Sequence, residues 1–481
     1  MAVSTTRATT RTLSHLLLAG LNPLSPPSSS SSSSATSGQP RQSPSNPSLA
    51  PAPFPAWLAS VGRELDTTAP IRLVPSALAA GAGHQLVAYR NFEGTERIFS
   101  LGRNELGQLG VGFASQEGTR GLVEGFEGDG IVAATAGVQS SYLVLRDADS
   151  TRLFSRLFSM GNLARGRLGH PALFPPANAL QEHEEPRQHS LPRAAAVPLP
   201  PGLAPIRQIE AGFEHLLVLT EDGEVWGTGC NTDGQLGLGS ASSDVFELTR
   251  VPLPREVEHE GGVERISAGA DTSALVTKSG TLWVWGNSEY AQGMHGEKID
   301  QITSPFAIKP DFLPSNRRLV DYRCGGSFAL ALDDRGSVYS AGYGALGLGQ
   351  GVLHSAAPQR VEHLEGAGVS RIRAGWGYAA AVRDHASSSA LYTWGLNNPH
   401  GRLAHGALPP SRSSPSSLDP SVPPAVAPHA HEPKEVALPL RQVGLEEGAG
   451  EGEGEARWEI GEVECGMESL WVELRVEEDV E

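Results

Sequence analysis

The sequence predicts an all-β fold, a propeller of seven blades that a strand from the N-terminal region closes. Three observations predict it. A pair formed by a small residue and glycine recurs along the chain, two apolar runs separated by a tight break follow each pair, and a glycine-rich tail of the type Gly-Gln-Leu-Gly follows the second run. Short apolar runs with glycine turns at regular intervals are typical of β-strands in a repeat architecture.

Residues 207–239 show the repeated unit in full. The pair Ala211-Gly212 opens it, and the apolar run His215–Thr220 follows. The dipeptide Asp222-Gly223 then separates this run from a second one that ends at Gly229. An Asp-Gly break between two apolar runs predicts a tight β-hairpin, because glycine accepts the positive φ that the turn needs.

The opening glycine recurs seven times, so that units start near residues 80, 136, 211, 268, 324, 374 and 465. These structural glycines are Gly81, Gly137, Gly212, Gly269, Gly325, Gly375 and Gly466. The two longest spacings contain a Pro/His-rich stretch at 171–205 and a Ser/Pro/Gly/Glu-rich stretch at 405–456, which we interpret as insertions. A unit of about four short strands cannot bury both faces alone, so neighbouring units stack, and seven of them close into a ring that protects the strand edges.

The seventh unit is shorter than the others. After Gly466 it offers one further apolar run, residues 470–476, and its outer strands must come from elsewhere. Residues 56–62 resemble a hairpin-closing strand, and we expect them to pair into the last blade. The propeller is therefore expected to span residues 53–481.

The N-terminal region has a different composition. It is rich in Ser, contains Arg7 and Arg11, and has no acidic residue before Glu64. On a helix, Arg7, Arg11 and Ser14 share one face while Leu13, Leu16 and Leu17 lie opposite, and this pattern favours a mitochondrial transit peptide with a disordered Ser/Pro linker over residues 1–52. A secretory signal with residues 16–21 as its apolar core is the alternative.

Charge, cysteine content and motifs limit the function. The net charge of −17 disfavours nonspecific nucleic-acid binding, three cysteines without metal-ligand spacing indicate neither a disulfide framework nor a zinc site, and no apolar run is long enough to span a bilayer. The sequence contains no G-x-x-x-x-G-K-[ST], G-x-S-x-G or H-E-x-x-H motif. We therefore predict no catalytic residue, no metal, no cofactor and no small-molecule substrate.

Several chemically active side chains occupy repeat positions and are interpreted as structural. Cys324 and Cys465 stand in the small-residue slot before the opening glycine, where a thiol serves as a packing group. His84 and His215 share one repeat position and are interpreted as hydrogen-bonding struts. The tryptophans, among them Trp376, are interpreted mostly as blade packing.

The repeat resembles that of the regulator of chromosome condensation (RCC) family, and in particular its mitochondrial exchange-factor-like branch. The residues that carry the resemblance are 285–290 (Trp-Gly-Asn-Ser-Glu-Tyr), 342–347 (Gly-Tyr-Gly-Ala-Leu-Gly) and 158–162 (Phe-Ser-Met-Gly-Asn). The resemblance implies a non-enzymatic interaction protein that promotes guanine-nucleotide exchange on an organellar GTPase, such as the dynamin-like inner-membrane fusion GTPase.

Two alternatives stay open. One is a non-exchanging scaffold for mitochondrial ribosomal RNA, a ribosomal subunit or a respiratory complex, and the other is an enzyme whose titratable residues converge in the central funnel. Because loops at one end of a propeller are held rigidly and serve to dock partners, the candidate partner-binding residues are Asn287, Ser288, Glu289 and Tyr290, together with Tyr343.

Overall fold

A computed structural model describes residues 9–21, 45–52, 72–90, 94–126, 130–146, 154–173, 190–241, 244–385, 388–406, 429–443 and 457–480. These residues form seven four-stranded antiparallel sheets, and within each sheet the strands pair as meanders. The innermost strands of successive sheets lie side by side around a central axis. The predicted seven-bladed all-β propeller is confirmed.

The first three blades follow the chain. Their strands are β3 Arg72–Ala80, β4 His84–Arg90, β5 Glu96–Asn104 and β6 Ser115–Leu122 in blade 1; β7 Ile131–Ala136, β8 Ser140–Arg146, β9 Ser155–Asn162 and β10 Ser190–Ala196 in blade 2; and β11 Ile206–Ala211, β12 His215–Thr220, β13 Val225–Gly229 and β14 Val245–Arg250 in blade 3.

Blades 4 to 6 repeat the arrangement. Their strands are β15 Val263–Ala268, β16 Thr272–Thr277, β17 Leu282–Ser288 and β18 Ile299–Ile308 in blade 4; β19 Leu319–Cys324, β20 Phe328–Asp333, β21 Val338–Tyr343 and β22 His354–Arg360 in blade 5; and β23 Val369–Ala374, β24 Tyr378–His385, β25 Ser388–Gly395 and β26 Ala430–Glu435 in blade 6. One short helix, α1, spans Arg255–His259, and 3-10 turns span Ala164–Gly166, Pro171–Leu173, Glu362–Leu364 and Leu440–Val443.

Blade 7 combines both ends of the described chain. Its inner strands are β27, Arg457–Cys465, and β28, Ser469–Val480, and its outer strands are β1, Thr9–Leu21, and β2, Ser45–Pro51. A strand from the N-terminal region does close the ring, but the segment differs from the expected one. Thr9–Leu21 takes the position next to β28 that we expected residues 56–62 to take, and residues 56–62 lie outside the described residues. The domain division expected at residue 53 therefore does not match the blade.

The two expected insertions are also shorter than the sequence suggested. Ser190–Ala196 pairs with β9 as the outer strand of blade 2, and Ala430–Glu435 pairs with β25 as the outer strand of blade 6. These outer strands contain proline and charged residues, and only part of each faces the core, so they lack the apolar alternation that identifies a strand.

The second strand of each blade carries most of the core. All six residues of His215–Thr220, Thr272–Thr277 and Phe328–Asp333 are buried. A blade packs against a neighbour on each side, so its central strands are covered on both faces and have a continuous apolar sequence instead of an alternating one.

A glycine at or near the end of the third strand has a required backbone conformation. Gly102, Gly161, Gly229, Gly342 and Gly395 have φ between 108° and 116°, in the region that disfavours side chains. A Cβ on Gly229 would also overlap the carbonyl oxygen of Glu214 in the loop beside it. These glycines let the third strand leave the sheet against the loop between the first and second strands.

Candidate partner-binding face

The meander topology divides the loops between two ends of the propeller. The loops from first to second strand and from third to fourth strand emerge at one end, which we call the glycine face because it carries the opening glycines and the Gly-Gln-Leu-Gly tails. The hairpins between second and third strands and the connections between blades emerge at the other end, the hairpin face. All five candidate partner-binding residues lie at the glycine face.

The opening glycines form a ring around the axis on the glycine face. A Cβ on Gly212 would lie 2.5 Å from the carbonyl oxygen of Gly269, and a Cβ on Gly137 would lie 2.7 Å from that of Gly212. Backbone hydrogen bonds also join neighbouring blades here, for example from Ala270 N to Gly325 O at 3.3 Å. No side chain fits at these positions, so the glycines allow the blades to approach one another and hold the loops around them.

The repeated histidines connect neighbouring blades. His84 Nε2 lies 2.9 Å from Ser141 Oγ, and His215 Nε2 lies 2.9 Å from Ser273 Oγ. Ser273 Oγ already donates its proton to the carbonyl oxygen of Gln235, so the histidine Nε2 is the donor in this pair. Burial lowers the pKa of both histidines to about 4, so both are neutral near pH 7 and act as struts.

The two cysteines of the small-residue slot are inert. Burial raises the pKa of the Cys324 and Cys465 thiols to about 12, which leaves no thiolate for nucleophilic attack near neutral pH. Their position supports the packing interpretation. Among the described residues, no group of three or more His, Cys, Asp and Glu side chains is placed to hold a metal ion, and no helix of that part of the chain is long and apolar enough to cross a membrane.

The candidate residues of blade 4 divide into two kinds. Asn287 and Ser288 shape the loop, because Asn287 N donates to Asp271 O at 2.8 Å and Ser288 Oγ accepts from Gly293 N at 2.9 Å. Glu289 and Tyr290 are exposed at the tip of the loop. Glu289 and Tyr290 therefore offer more surface to a partner than the half-buried Asn287 and the buried Ser288.

Tyr290 and Tyr343 come from different blades and meet on the glycine face. Their ring centroids lie 5.9 Å apart, and the two rings are 37% and 46% exposed. The neighbouring carboxylate of Glu289 accepts a hydrogen bond from Tyr290 and raises the pKa of its phenol. The sequence singled out both residues, and the structure brings them together.

The exposed aromatic surface continues into blade 6. Tyr343 N donates to Ser327 O at 2.8 Å, and the adjacent Gly326 packs closely under the ring of Trp376. Leu396 in turn lies next to Gly377. Tyr290, Tyr343, Trp376 and Leu396 are thus all exposed on the glycine face over blades 4 to 6, and we call this set of residues the aromatic arc.

The sequence suggested that Trp376 packs within a blade. The structure differs, because 43% of this residue is exposed. It stacks on Phe213, with ring centroids 4.6 Å apart, and the two residues belong to blades 6 and 3 on opposite sides of the axis. The pair lies over the mouth of the central channel. Its sequence signal is the single Gly375-Trp376 dipeptide, which differs from all other openings.

Carboxylates cluster beside the arc, over blades 2 to 4. Arg165 Nε lies 3.3 Å from a carboxylate oxygen of both Glu214 and Asp244. Asp271 and Asp233 lie close by, and burial, helped by the charges of Asp233 and Glu214, raises the pKa of Asp271 to about 6. We call Glu214, Asp233, Asp244 and Asp271 the acidic cluster. It meets the aromatic arc at the blade 4 loop, where Asp271 O accepts from Asn287 N.

The central channel holds paired charges that sequence reasoning missed. A cavity of about 670 Å³ follows the axis, and Arg323 Nη1 reaches across it to Glu210 Oε1 at 2.7 Å. Arg373 Nε lies 3.3 Å from Glu464 Oε1, and burial raises the pKa of Glu464 to about 7. These ion pairs link blades 3 and 5 and blades 6 and 7, which accounts for the charges without a reaction.

With this geometry established, comparison with known proteins identifies the family. The RCC1-like domain model matches residues 73–432, and the chain belongs to that family. The human RCC1-like G exchanging factor-like protein is 27% identical over 342 residues, which cover 67% of each chain. The ultraviolet-B receptor UVR8 of Arabidopsis thaliana is 29% identical over 345 residues, which cover 69% of this chain and 67% of the receptor.

Solved structures show the same fold. The crystal structure of human WBSCR16 matches 96% of this chain and 98% of its own with a TM-score of 0.66 at 22% identity. Yeast Prp20p, whose structure was described with its binding to Gsp1p and histones, matches 98% of this chain and 92% of its own with a TM-score of 0.60 at 17% identity. The chain is thus an RCC1-like propeller related to exchange-factor-like regulators of GTPases.

Proposed function

We propose that this protein is a mitochondrial, exchange-factor-like regulator of a GTPase and that the GTPase docks on the glycine face. The observation that carries the proposal is the junction of the aromatic arc and the acidic cluster at the blade 4 loop. Exposed Tyr and Trp side chains are typical anchors of a protein interface, and the half-buried carboxylates beside them add charge that a partner can complement. Of the nine large apolar side chains that are most exposed among the described residues, seven lie on this face: Phe113, Leu173, Tyr290, Tyr343, Leu353, Trp376 and Leu396.

The acidic cluster suits a partner with a basic group. Glu214 and Asp244 pair with Arg165, and Glu214 pairs with Arg167 as well. Burial, together with the charges of Asp233 and Glu214, raises the pKa of Asp271 to about 6. A cation that a partner places next to Asp271 would favour the charged form of this carboxyl group. Nucleic acid, by contrast, would bring phosphates towards the carboxylates, which disfavours docking of ribosomal RNA on this face.

Exchange requires that the regulator bind the nucleotide-free GTPase more tightly than the loaded one. A GTPase of the P-loop type uses a lysine to hold the nucleotide phosphates. That ammonium loses its partners when the nucleotide leaves, and a cluster of carboxylates stabilises it most in that state. This difference in binding would then lower the affinity of the GTPase for its nucleotide without any covalent chemistry.

The experiment is nucleotide release from candidate mitochondrial GTPases, the dynamin-like inner-membrane fusion GTPase first, measured with a fluorescent GDP analogue. We expect the purified protein to accelerate release from one of them about tenfold or more, which corresponds to about 1.4 kcal/mol of differential binding. The double variant Tyr290→Ser/Tyr343→Ser and the single variant Asp271→Asn should lose most of the acceleration. Phe154→Ser is the control, since Phe154 is also an exposed aromatic residue, 53% against 37% for Tyr290 and 46% for Tyr343, but lies on the hairpin face.

The opposite result would be acceleration of no GTPase, with ribosomal subunits or RNA co-purifying with the protein. The exchange proposal would then be abandoned in favour of the scaffold function.

The proposed mitochondrial location is tested separately, by fractionation of cells that express the full chain. It is supported by the Arg-containing, Ser-rich N-terminal composition, and recovery of the protein outside mitochondria would contradict it.

A further inference from the structure

The segment with the composition of a transit peptide is also a strand inside a blade. β1 pairs with β28 over twelve consecutive residue pairs, from Thr9 opposite Val480 to Gly20 opposite Ser469. On its other side it pairs with β2, with Leu17 opposite Pro51 and Leu18 opposite Ala50. β1 is therefore a central strand of the last sheet.

Both faces of this strand are buried over residues 16–19. Leu16 and Leu18 pack with Phe99, Leu101 and Trp471 between blades 7 and 1. Leu17 and Ala19 face the other way and pack in the cluster between blades 6 and 7. The residue Leu18, which does not fit an amphipathic helix, fits this strand, because alternate residues of a central strand meet different neighbouring blades.

A polar contact also connects β1 to the adjacent strand. Ser14 Oγ donates to Oε1 of Glu473 at 2.7 Å. Glu473 is buried, and its other oxygen accepts from Glu462 N at 3.1 Å and from Arg475 Nη2 at 2.8 Å. Without Ser14, one oxygen of this buried carboxylate would lose a donor.

We propose that residues 9–21 are retained in the folded protein and have two mutually exclusive states, an exposed segment before folding and the closing strand of the ring afterwards. A presequence that is cleaved beyond residue 21 would remove the strand, expose the backbone edge of β28 and leave the apolar surfaces of blades 1 and 6 uncovered. Ring closure stands on the geometry alone, and only the use of the exposed segment for import rests on the proposed mitochondrial function.

The decisive measurement is the N-terminal peptide of the protein isolated from its own cells, determined by mass spectrometry. We expect it to begin upstream of Thr9. A mature form that begins downstream of Leu21 would overturn the proposal.

An import assay with isolated mitochondria tests the same point. The full chain should become protected from protease without loss of mass. Protection with loss of the first 21 residues would again overturn the proposal. A chain that stays unprotected but keeps residues 9–21 would contradict the mitochondrial function while supporting retention of the strand.

Strand complementation supplies a second, independent test. A variant that lacks residues 1–24 should have a lower melting temperature than the full chain, and a synthetic peptide of residues 6–24 should restore it. The same peptide with Leu17→Asp is the control and should restore nothing, because Leu17 is fully buried in the closed ring. Equal melting temperatures of the truncated and full chains, or equal rescue by both peptides, would show that β1 does not close the ring.

Discussion

The tail loops of blades 3 and 4 have the same hydrogen-bond framework and opposite surface character. In blade 3, Gly234 N donates to Asn231 O and Gly237 N to Gly234 O, and in blade 4 the equivalent bonds run from Ala291 N to Ser288 O and from Met294 N to Ala291 O. The glutamine side chain also accepts from the same position in both, from Asp233 N at 2.9 Å and from Tyr290 N at 3.0 Å. The turn is thus independent of the residue at its tip, which is Asp233 in one loop and Tyr290 in the other.

The two loops differ in backbone strain. Gly234 and Gly237 have φ of 79° and 67°, and Ala291 and Met294 adopt nearly the same values, 66° and 63°, with side chains. Left-handed backbone costs a non-glycine residue about 1–2 kcal/mol. Strain of this kind persists where the surroundings determine the conformation, and it concentrates at functional loops. The comparison indicates that the blade 4 loop is held in shape by the loop framework and by the buried side chains of Ala291 and Met294.

The largest effect is expected from making blade 3 resemble blade 4. In Gly234→Ala the new Cβ would lie 2.9 Å from Thr303 Cα, against the backbone of the next blade. Left-handed strain and overpacking together should lower the free energy of unfolding by about 2–4 kcal/mol. Urea denaturation measures it, and a loss below about 1 kcal/mol would show that the blade 3 loop tolerates a side chain as the blade 4 loop does.

The strut beneath the blade 3 loop should make stability depend on pH. The pKa of His215 is about 4 in the folded protein and 6.5 in the unfolded chain, so the unfolded state binds more protons between these values. The contribution of His215 is present above pH 6.5 and is lost as the pH falls to about 4. In His215→Phe, which copies the Phe328 of blade 5, the slope of the unfolding free energy against pH should fall by up to about 1.4 kcal/mol per pH unit.

Wild type and His215→Phe are compared by urea denaturation between pH 4.5 and 7. Asp271 and Glu464, whose raised pKa values give the opposite slope, are present in both proteins and cancel in the difference. Identical slopes would mean that His215 takes up its proton as easily in the folded state as in the unfolded chain.

The reverse substitution in blade 4 should have a smaller effect of opposite sign. Ala291→Gly relieves about 1–2 kcal/mol of left-handed strain but removes one buried methyl group, which contributes about 0.8 kcal/mol. A gain of about 0.5 kcal/mol in the free energy of unfolding is expected, again by urea denaturation. A clear decrease in the free energy of unfolding would mean that packing of the Ala291 methyl group outweighs the left-handed strain. The two loops would then differ mainly in packing and not in strain.

The smallest effects are expected at the tips of the loops. Tyr290→Ser and Tyr343→Ser remove exposed rings, so each should change the free energy of unfolding by less than about 0.5 kcal/mol. The double variant should show a coupling of about 0.3 kcal/mol between the two rings. Losses above about 1 kcal/mol would assign the pair to the fold and not to a partner.

Much of the fold could be predicted because the glycines that repeat are those that the backbone requires. Gly229 and its equivalents have positive φ, and Gly212 and its equivalents touch the next blade. The spacing of these glycines along the sequence therefore shows where each blade begins and ends. The outer strands Ser190–Ala196 and Ala430–Glu435 could not be predicted, because an edge strand is only partly buried and these two lack apolar alternation. The sequence of Thr9–Leu21 favours a helix, whereas Leu16, Leu17 and Leu18 are buried on both faces of a strand. The apolar run at residues 16–19 has no period that distinguishes a helix from a strand.

The sequence by itself determined the number of blades, the position of the turns and the membership of the family. These depend on the backbone conformation of single residues and on glycines that recur where each blade meets the next. It also marked Tyr290 and Tyr343 as candidate partner-binding residues. Only the tertiary structure decided that these two rings meet, that Phe213 and Trp376 stack across the axis, and that Thr9–Leu21 completes the last blade. Those contacts join residues more than fifty positions apart, and the closing of the ring, not any local pattern, places them together.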